Sequence, residues 1–153
     1  MDPAASATKA PANAVLCGKV PHHVEYMVKN LMPKIEIVHV CMTADAAVSE
    51  IPTLLQGNPI TPSSGYGTNA DHNAIKTGVK LIIVGGGWSP EERQTILKTI
   101  EDNKPVPVFV ADTSKTQPGA GPPSTDAIKK RILDSVEAAE KGDGEWVPGV
   151  YTF

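Results

Sequence analysis

The sequence predicts an α/β fold in which helices cover both faces of a short parallel sheet. The main sign is Leu81–Val84, an apolar run without alternation that stops at Gly85-Gly86-Gly87. A strand buried on both faces has this pattern, which is typical of parallel sheets covered by helices. A helix follows at once, because Ser89 suits an N-cap, Pro90 suits the first helical position and Glu92 completes a capping box.

Four strands are expected to alternate with four helices along the chain. The strands are predicted at residues 14–17, 35–41, 79–84 and 106–110. Right-handed crossovers between parallel strands then give the spatial order 2-1-3-4 and a three-layer flavodoxin/Rossmann-like sandwich. Pro107 suggests that the fourth strand lies at a sheet edge. The apolar segment 146–153 either packs on the domain or adds a strand.

The helices carry their own boundary signals. The first ends at Pro33, and Thr43 and Ser124 are the expected N-caps of the second and fourth. Pro52 should kink the second helix or end it early. The apolar face of the first helix is formed at helical spacing by Val24, Met27, Val28 and Leu31.

Composition indicates a single globular domain of ordinary polarity. The chain has 153 residues, of which 41% are hydrophobic and 20% charged, with a net charge of −3. Scattered basic residues argue against nucleic acid and anionic membranes as partners.

We expect residues 1–13 to form a flexible tail and residues 14–153 to form the domain. No signal peptide or transmembrane stretch is expected, and two cysteines suggest a reducing, cytoplasmic setting. The two edges of the short sheet favour a homo-oligomer.

The expected ligand site lies where the first and third strands end. In open α/β sheets, ligands bind outside the carboxyl ends of the strands at the point where strand order reverses. This places a small-molecule ligand against the turns 18–23 and 85–89, with the long segment 57–73 as a lid. The expected ligand-binding residues are Gly18, Lys19, Cys41, Met42, Tyr66, His72, Gly85, Gly86, Gly87 and Trp88.

Four side chains are candidates for catalysis. His22 and His23 open the first helix, where the helix dipole favours a neutral imidazole that acts as a base. Cys17 and Asp112 end strands one and four and could complete a nucleophile-base arrangement. The alternatives are solvated histidines and a small buried cysteine. His39, inside the second strand, is interpreted as a packed, hydrogen-bonded residue.

The sequence lacks a clear cofactor signature. The dinucleotide fingerprint G-x-G-x-x-G is absent after the first strand, where Gly18 is followed by Lys19. No redox cofactor is therefore predicted, although NAD(P) stays an open alternative. No metal site is predicted either, because the spacing of His22, His23, His72 and Asp112 matches no known metal pattern.

Several segments resemble small uncharacterised proteins of filamentous ascomycete fungi. The matching residues are 14–19, 38–40, 50–57 and 81–87, with a Val-Tyr ending at Val150-Tyr151. The resemblance covers nearly the whole chain after the tail. It implies a Rossmann-like, NAD(P)-binding-like fold, and a setting in secondary metabolism.

Three functions remain open at this point. The first is a small-molecule enzyme without a redox cofactor, an acid-base isomerase, cyclase or lyase of fungal secondary metabolism. The second is a nucleotide-binding or regulatory module without catalysis. The third is a scaffold or interaction protein. The glycine turn, the paired histidines and the long loop favour the enzyme.

Overall fold

A computed structural model describes residues 11–71, 75–112, 124–142 and 145–153. The strands are β1 (Ala12–Cys17), β2 (Ile35–Cys41), β3 (Leu81–Val84), β4 (Pro107–Val110) and β5 (Gly149–Thr152). The helices are α1 (Pro21–Asn30), α2 (Ala44–Leu55), α3 (Pro90–Asn103) and α4 (Thr125–Ala139). All neighbouring strands are parallel, in the order β2-β1-β3-β4-β5. The predicted α/β class is confirmed, and the fifth strand extends the predicted order.

The sheet separates two apolar cores, as a three-layer sandwich requires. On one side, α1 and α4 contribute Val24, Met27 and Ile132 to a core with alternate strand residues such as Leu16 and Ile83. We call this the α1/α4 face. The opposite side, the α2/α3 face, buries another set that includes Val15, Ile51, Leu54, Val84 and Ile96. None of the helices in the described segments is long and apolar enough to cross a membrane.

The starts of α2, α3 and α4 are those predicted from sequence. Thr43, Ser89 and Ser124 each accept a hydrogen bond from a backbone amide of the first turn of α2, α3 and α4, respectively. Ser89 and Glu92 form the full capping box, since each side chain accepts from the backbone of the other. These contacts satisfy amides that the first helical turn leaves unbonded.

Two prolines do not end or border their elements as expected. Pro52 lies inside α2, which continues to Leu55, so Pro52 does not end the helix early, while a kink at this position stays a prediction. Proline has no N–H, so the carbonyl of Val48, four residues earlier, loses its helical donor. Pro107 does not mark an edge, because β5 pairs with β4 and Pro107 lies opposite Gly149. Proline is tolerated there since it is the first residue of the strand.

The chain ends differ in how far the structure describes them. Residues 1–10 of the predicted tail lie outside the described residues, while Ala12 and Asn13 already belong to β1. The Ala12 amide donates to the Lys34 carbonyl at 3.1 Å, which fixes the start of the strand. At the other end, the segment 146–153 adds a strand, one of its two expected placements.

The described part of the long segment, residues 57–71, packs against the edge of β2. Ser64 Oγ donates to the Val40 carbonyl at 2.8 Å, and Thr68 Oγ1 donates to Glu36 at 2.7 Å. Gly67 has a φ of +101° and lies so close that a Cβ would be 2.7 Å from the Val38 carbonyl oxygen. Glycine permits both this backbone conformation and this approach. The segment therefore covers a strand edge.

Candidate functional site

A cavity of about 350 Å³ lies at the carboxyl ends of β1, β3 and β4, on the α1/α4 face. This is the edge of the sheet where the sequence places a ligand. The volume is near the lower end of the range for small-molecule sites, roughly 300–1,000 Å³. The apolar part of its wall consists of Leu16, Val20, Val24, Met27, Ile83, Ala111, Ile128, Ile132 and Phe153. The rest consists of Gly18, Lys19, His23, Gly85, Gly86, Gly87, Asp112 and Arg131.

The glycine turn after β3 forms one rim of the cavity. The Gly85 amide donates to the Cys17 carbonyl at 2.9 Å, which joins the turn to the end of β1. Among the described residues, the amides of Gly86 and Gly87 donate to no acceptor. Gly87 has a φ of +111°, a conformation that favours glycine. Two backbone N–H groups at this rim are therefore available to a ligand oxygen.

The two predicted histidines are placed differently. His23 lines the cavity, whereas His22 is exposed and outside its lining. The two rings meet edge to face, with centroids 4.4 Å apart. Partial burial, and to a lesser degree the neighbouring His22, lower the pKa of His23. The ring of His23 is therefore largely unprotonated at neutral pH and can accept a proton.

Lys19 reaches the cavity, but its ammonium group is already paired. Its Nζ lies 2.8 Å from Glu92 Oε1 and 5.2 Å from the centroid of the Trp88 ring. Glu92 is held in turn by the backbone amide of Ser89. Hydrogen bonds from Lys19 and Ser89 keep the pKa of Glu92 below its ordinary value. The lysine charge is thus offset beside the turn, which weakens this rim as a phosphate site.

Arg131 brings a second cation to the cavity from α4. It lies on the same side of the helix as Ile128 and Ile132, and all three line the cavity. Within the described segments, no carboxylate forms an ion pair with Arg131. Asp112 lines the cavity from the end of β4. An apolar wall with one arginine suits a small organic ligand that carries a polar or anionic oxygen.

Several predicted site residues lie elsewhere. Side chains alternate along a strand, so Leu16 faces the cavity while Cys17 is buried on the α2/α3 face. Cys41 and Trp88 belong to the same buried cluster, and Trp88 Nε1 donates to the Cys17 carbonyl at 3.2 Å. Cys17 therefore does not line the cavity.

Two further residues that were expected to bind the ligand do not line the cavity either. Tyr66 of the predicted lid and Met42 after β2 pack against the core of the α1/α4 face. His72 lies outside the described residues. Across the described part of the long segment, residues 57–71, no side chain lines the cavity. The lid hypothesis is left without structural support, because these residues cover β2.

A second polar cluster is buried on the α2/α3 face. His39 Nε2 lies 2.7 Å from Glu50 Oε1, which confirms His39 as a packed, hydrogen-bonded residue. Burial lowers the pKa of His39, but hydrogen bonds to Cys41 and Glu50 outweigh it and raise the pKa overall. A hydrogen bond with Cys17 and burial raise the pKa of the Cys41 thiol far above its usual range. The Cys41 thiol is therefore not an activated nucleophile in this arrangement.

Sequence reasoning missed the cavity wall contributed by α4. The sequence pattern predicts only that Ile128 and Ile132 share an apolar face of this helix and does not assign Arg131 to a site. Their spacing shows that they share one side, but only the packing of α1 beside α4 shows that this side faces a cavity. Phe153 was missed because its position depends on the fifth strand.

Comparison with known proteins gives one distant relation. A curated protein similar to this chain is Kojic acid related protein 6 of Aspergillus oryzae, which is 29% identical over 142 residues. The similarity covers 89% of this chain and 84% of that protein. No protein-family model matches, and no solved structure matches. The name links the relative to kojic acid, and so to fungal secondary metabolism. The similarity supports the fungal part of the resemblance but not a Rossmann-like family.

Proposed function

We propose that this protein is a small-molecule enzyme of fungal secondary metabolism that moves a proton on a compact, largely apolar substrate. The observation that carries the proposal is the convergence of His23, the glycine turn and Arg131 on one apolar cavity. The cavity supplies binding, the histidine supplies a base and the N–H groups supply a place for negative charge. The reaction class is an isomerisation, cyclisation or elimination without a redox cofactor.

The chemistry follows from the position of these groups. A substrate C–H bond next to a carbonyl breaks, its proton passes to the unprotonated ring nitrogen of His23, and its electron pair moves onto the carbonyl oxygen. The amides of Gly86 and Gly87, with Arg131, stabilise the resulting enolate. Return of the proton from His23 to another carbon gives an isomer. Low polarity in the rest of the cavity strengthens each of these interactions.

Deuterium exchange tests the proposal before the substrate is known. The protein is incubated in D₂O with kojic acid and, separately, with a metabolite extract of a filamentous fungus, and mass spectrometry follows each compound. We expect at least one carbon acid to gain deuterium or change structure only when protein is present. Kojic acid is the first pure compound because the relative's name points to it.

Matched variants decide whether His23 is the base. Replacing a general base typically costs about 100-fold or more in rate, so H23Q should lose the exchange. H22Q should keep it, since His22 does not line the cavity. Equal exchange by wild type and H23Q would contradict the mechanism. Saturable binding of a nicotinamide or adenine nucleotide without any turnover would replace the enzyme with a nucleotide-binding module.

A further inference from the structure

Three side chains of metal-binding type converge on the α2/α3 face. His39 and Cys41 are two residues apart on β2 and so point to the same side of the sheet, while Glu50 comes from α2. A ring nitrogen, the thiol sulfur and a carboxylate oxygen all lie within 4.8 Å of one another. All three residues are buried. The sheet separates this cluster from the cavity.

We propose that His39, Cys41 and Glu50 bind a zinc ion at a buried site, with a water molecule as the fourth ligand. Nitrogen, sulfur and carboxylate oxygen together form a ligand set that zinc accepts, whereas calcium and magnesium prefer oxygen alone. The site is independent of the proposed enzymatic reaction, because it lies across the sheet from His23 and Arg131.

The separations within the cluster are close to those that zinc requires. Zinc bonds of about 2.0–2.3 Å in a tetrahedron place the ligand atoms roughly 3.3–3.7 Å apart. His39 Nε2 and Glu50 Oε1 are 2.7 Å apart, so this hydrogen bond opens by somewhat less than 1 Å when the ion enters. The remaining separations are no more than 4.8 Å, so the proposal requires the ligand atoms to move together by about 1 Å or less.

Charge balance also favours a divalent ion. In a metal-bound state, Cys41 binds as a thiolate and Glu50 as a carboxylate, while the His39 ring is neutral. Their two negative charges cancel those of Zn²⁺, so the complete site has no net charge. A neutral site avoids the large penalty for a net charge in the protein interior.

The long segment closes the site and gives it a structural role. The Ser63 backbone amide and Oγ both donate to Glu50, which fixes the orientation of its carboxylate. Partners of this kind commonly orient metal ligands. Zinc would thus tie β2 and α2 together, with Ser63 of the edge-covering segment held against them.

Zinc content is the direct test. Protein produced with zinc in the medium is freed of loosely bound metal by gel filtration and measured by inductively coupled plasma mass spectrometry. We expect about one zinc per chain in the wild type. The matched variants are C41A and C17A, which remove thiols from paired positions of neighbouring strands in one buried cluster. C41A should lose the zinc and C17A should keep it. A folded wild type that stays free of zinc, or a C41A variant that retains it, would overturn the proposal.

Cobalt substitution tests the ligand set without any variant. Co²⁺ in a tetrahedral site with a thiolate ligand gives a sulfur-to-metal charge-transfer band in the near ultraviolet. We expect this band when metal-free wild-type protein is titrated with cobalt, and zinc should remove it. The zinc complex should also unfold at a higher temperature than the chelator-treated protein, because ligands that bind the native state stabilise it. Cobalt bound without the thiolate band would exclude Cys41 as a ligand and overturn the site.

Discussion

Two adjacent histidines on the first turn of α1 have very different surroundings. His22 is exposed, while His23 is partly buried in the cavity wall, and burial is the larger cause of its lowered pKa. Both are histidines on the first turn of the helix, so the sequence alone does not show which of them acts as the base. The neighbouring elements decide which one is positioned for chemistry. The contrast also makes His22 a natural control for His23.

The lowered pKa of His23 predicts how stability depends on pH. Its folded pKa lies below the unfolded value of 6.5, so the folded state binds fewer protons than the unfolded state near that pH. The stability that His23 contributes is fully present above pH 6.5 and is lost as the pH falls through the folded pKa. Urea unfolding at pH 7 and pH 5 should show a smaller loss for H23Q than for wild type. H22Q should behave nearly like wild type, and a loss in H23Q as large as that of wild type would refute the assignment.

The two cations of the cavity also differ by their partners. Lys19 is held by Glu92 and the Trp88 ring, whereas Arg131 has no ion-pair partner among the described residues. A cation already paired offers little to an incoming anion, while an unpaired guanidinium retains its donors. We therefore propose Arg131, rather than Lys19, as the anion-binding residue of the cavity.

At the level of elements, the described part of the long segment covers β2 rather than the cavity. An edge strand exposes unpaired backbone groups, and natural proteins cover such edges with loops or helices. Here Ser64 bonds the Val40 carbonyl, and Thr68 and Lys76 bond Glu36. Burial raises the pKa of Glu36, but hydrogen bonds from Lys76 and Thr68 outweigh it and lower the pKa overall.

Gly67 is the position on which this packing depends. In G67A, the added Cβ would lie 2.7 Å from the Val38 carbonyl oxygen at a φ of +101°. We expect a loss of about 2–4 kcal/mol in the free energy of unfolding, from backbone strain and overpacking together. Gly65 is the matched control, because its φ is +79° and a Cβ would meet nothing within 4 Å. G65A should lose only about 1 kcal/mol. Equal losses in chemical denaturation would show that the contact with β2 contributes nothing.

Elements encoded by local pattern could be predicted from the sequence, and those that depend on distant contacts could not. The caps at Thr43, Ser89 and Ser124 involve only residues within one helical turn. The placement of the long segment depends instead on contacts between Ser64 and β2, which no periodicity encodes. The same limit applies to the candidate site. Gly18 and the glycine turn directly follow strands, so the sequence places them at the carboxyl edge of the sheet. Arg131 lies on a helix and lines the cavity only because of how α4 packs.

At the scale of the whole molecule, β5 completes the sheet, and Phe153, which follows β5, forms part of the cavity wall. The Phe153 amide donates to the Val110 carbonyl at 3.1 Å, and its carbonyl accepts from the Asp112 amide at 2.9 Å. Its side chain is 4% exposed and lines the cavity. Tyr151 stacks on Phe109 with ring centroids 5.0 Å apart. The end of the chain therefore completes both the sheet and the wall of the proposed ligand site.

Replacing Phe153 should affect stability and binding together. Removing a buried phenylalanine side chain costs about 3–5 kcal/mol in the free energy of unfolding, and F153A should show a loss of this size in urea denaturation. Its enlarged cavity should also weaken the deuterium exchange that we propose for the wild type. V150A is the control from the same strand, because Val150 is 64% exposed, and it should change stability by no more than about 0.5 kcal/mol. Comparable stability of F153A and V150A would mean that β5 is only loosely attached to the sheet. In that case Phe153 would not form part of the cavity wall either, because the same packing buries its side chain and places it against the cavity.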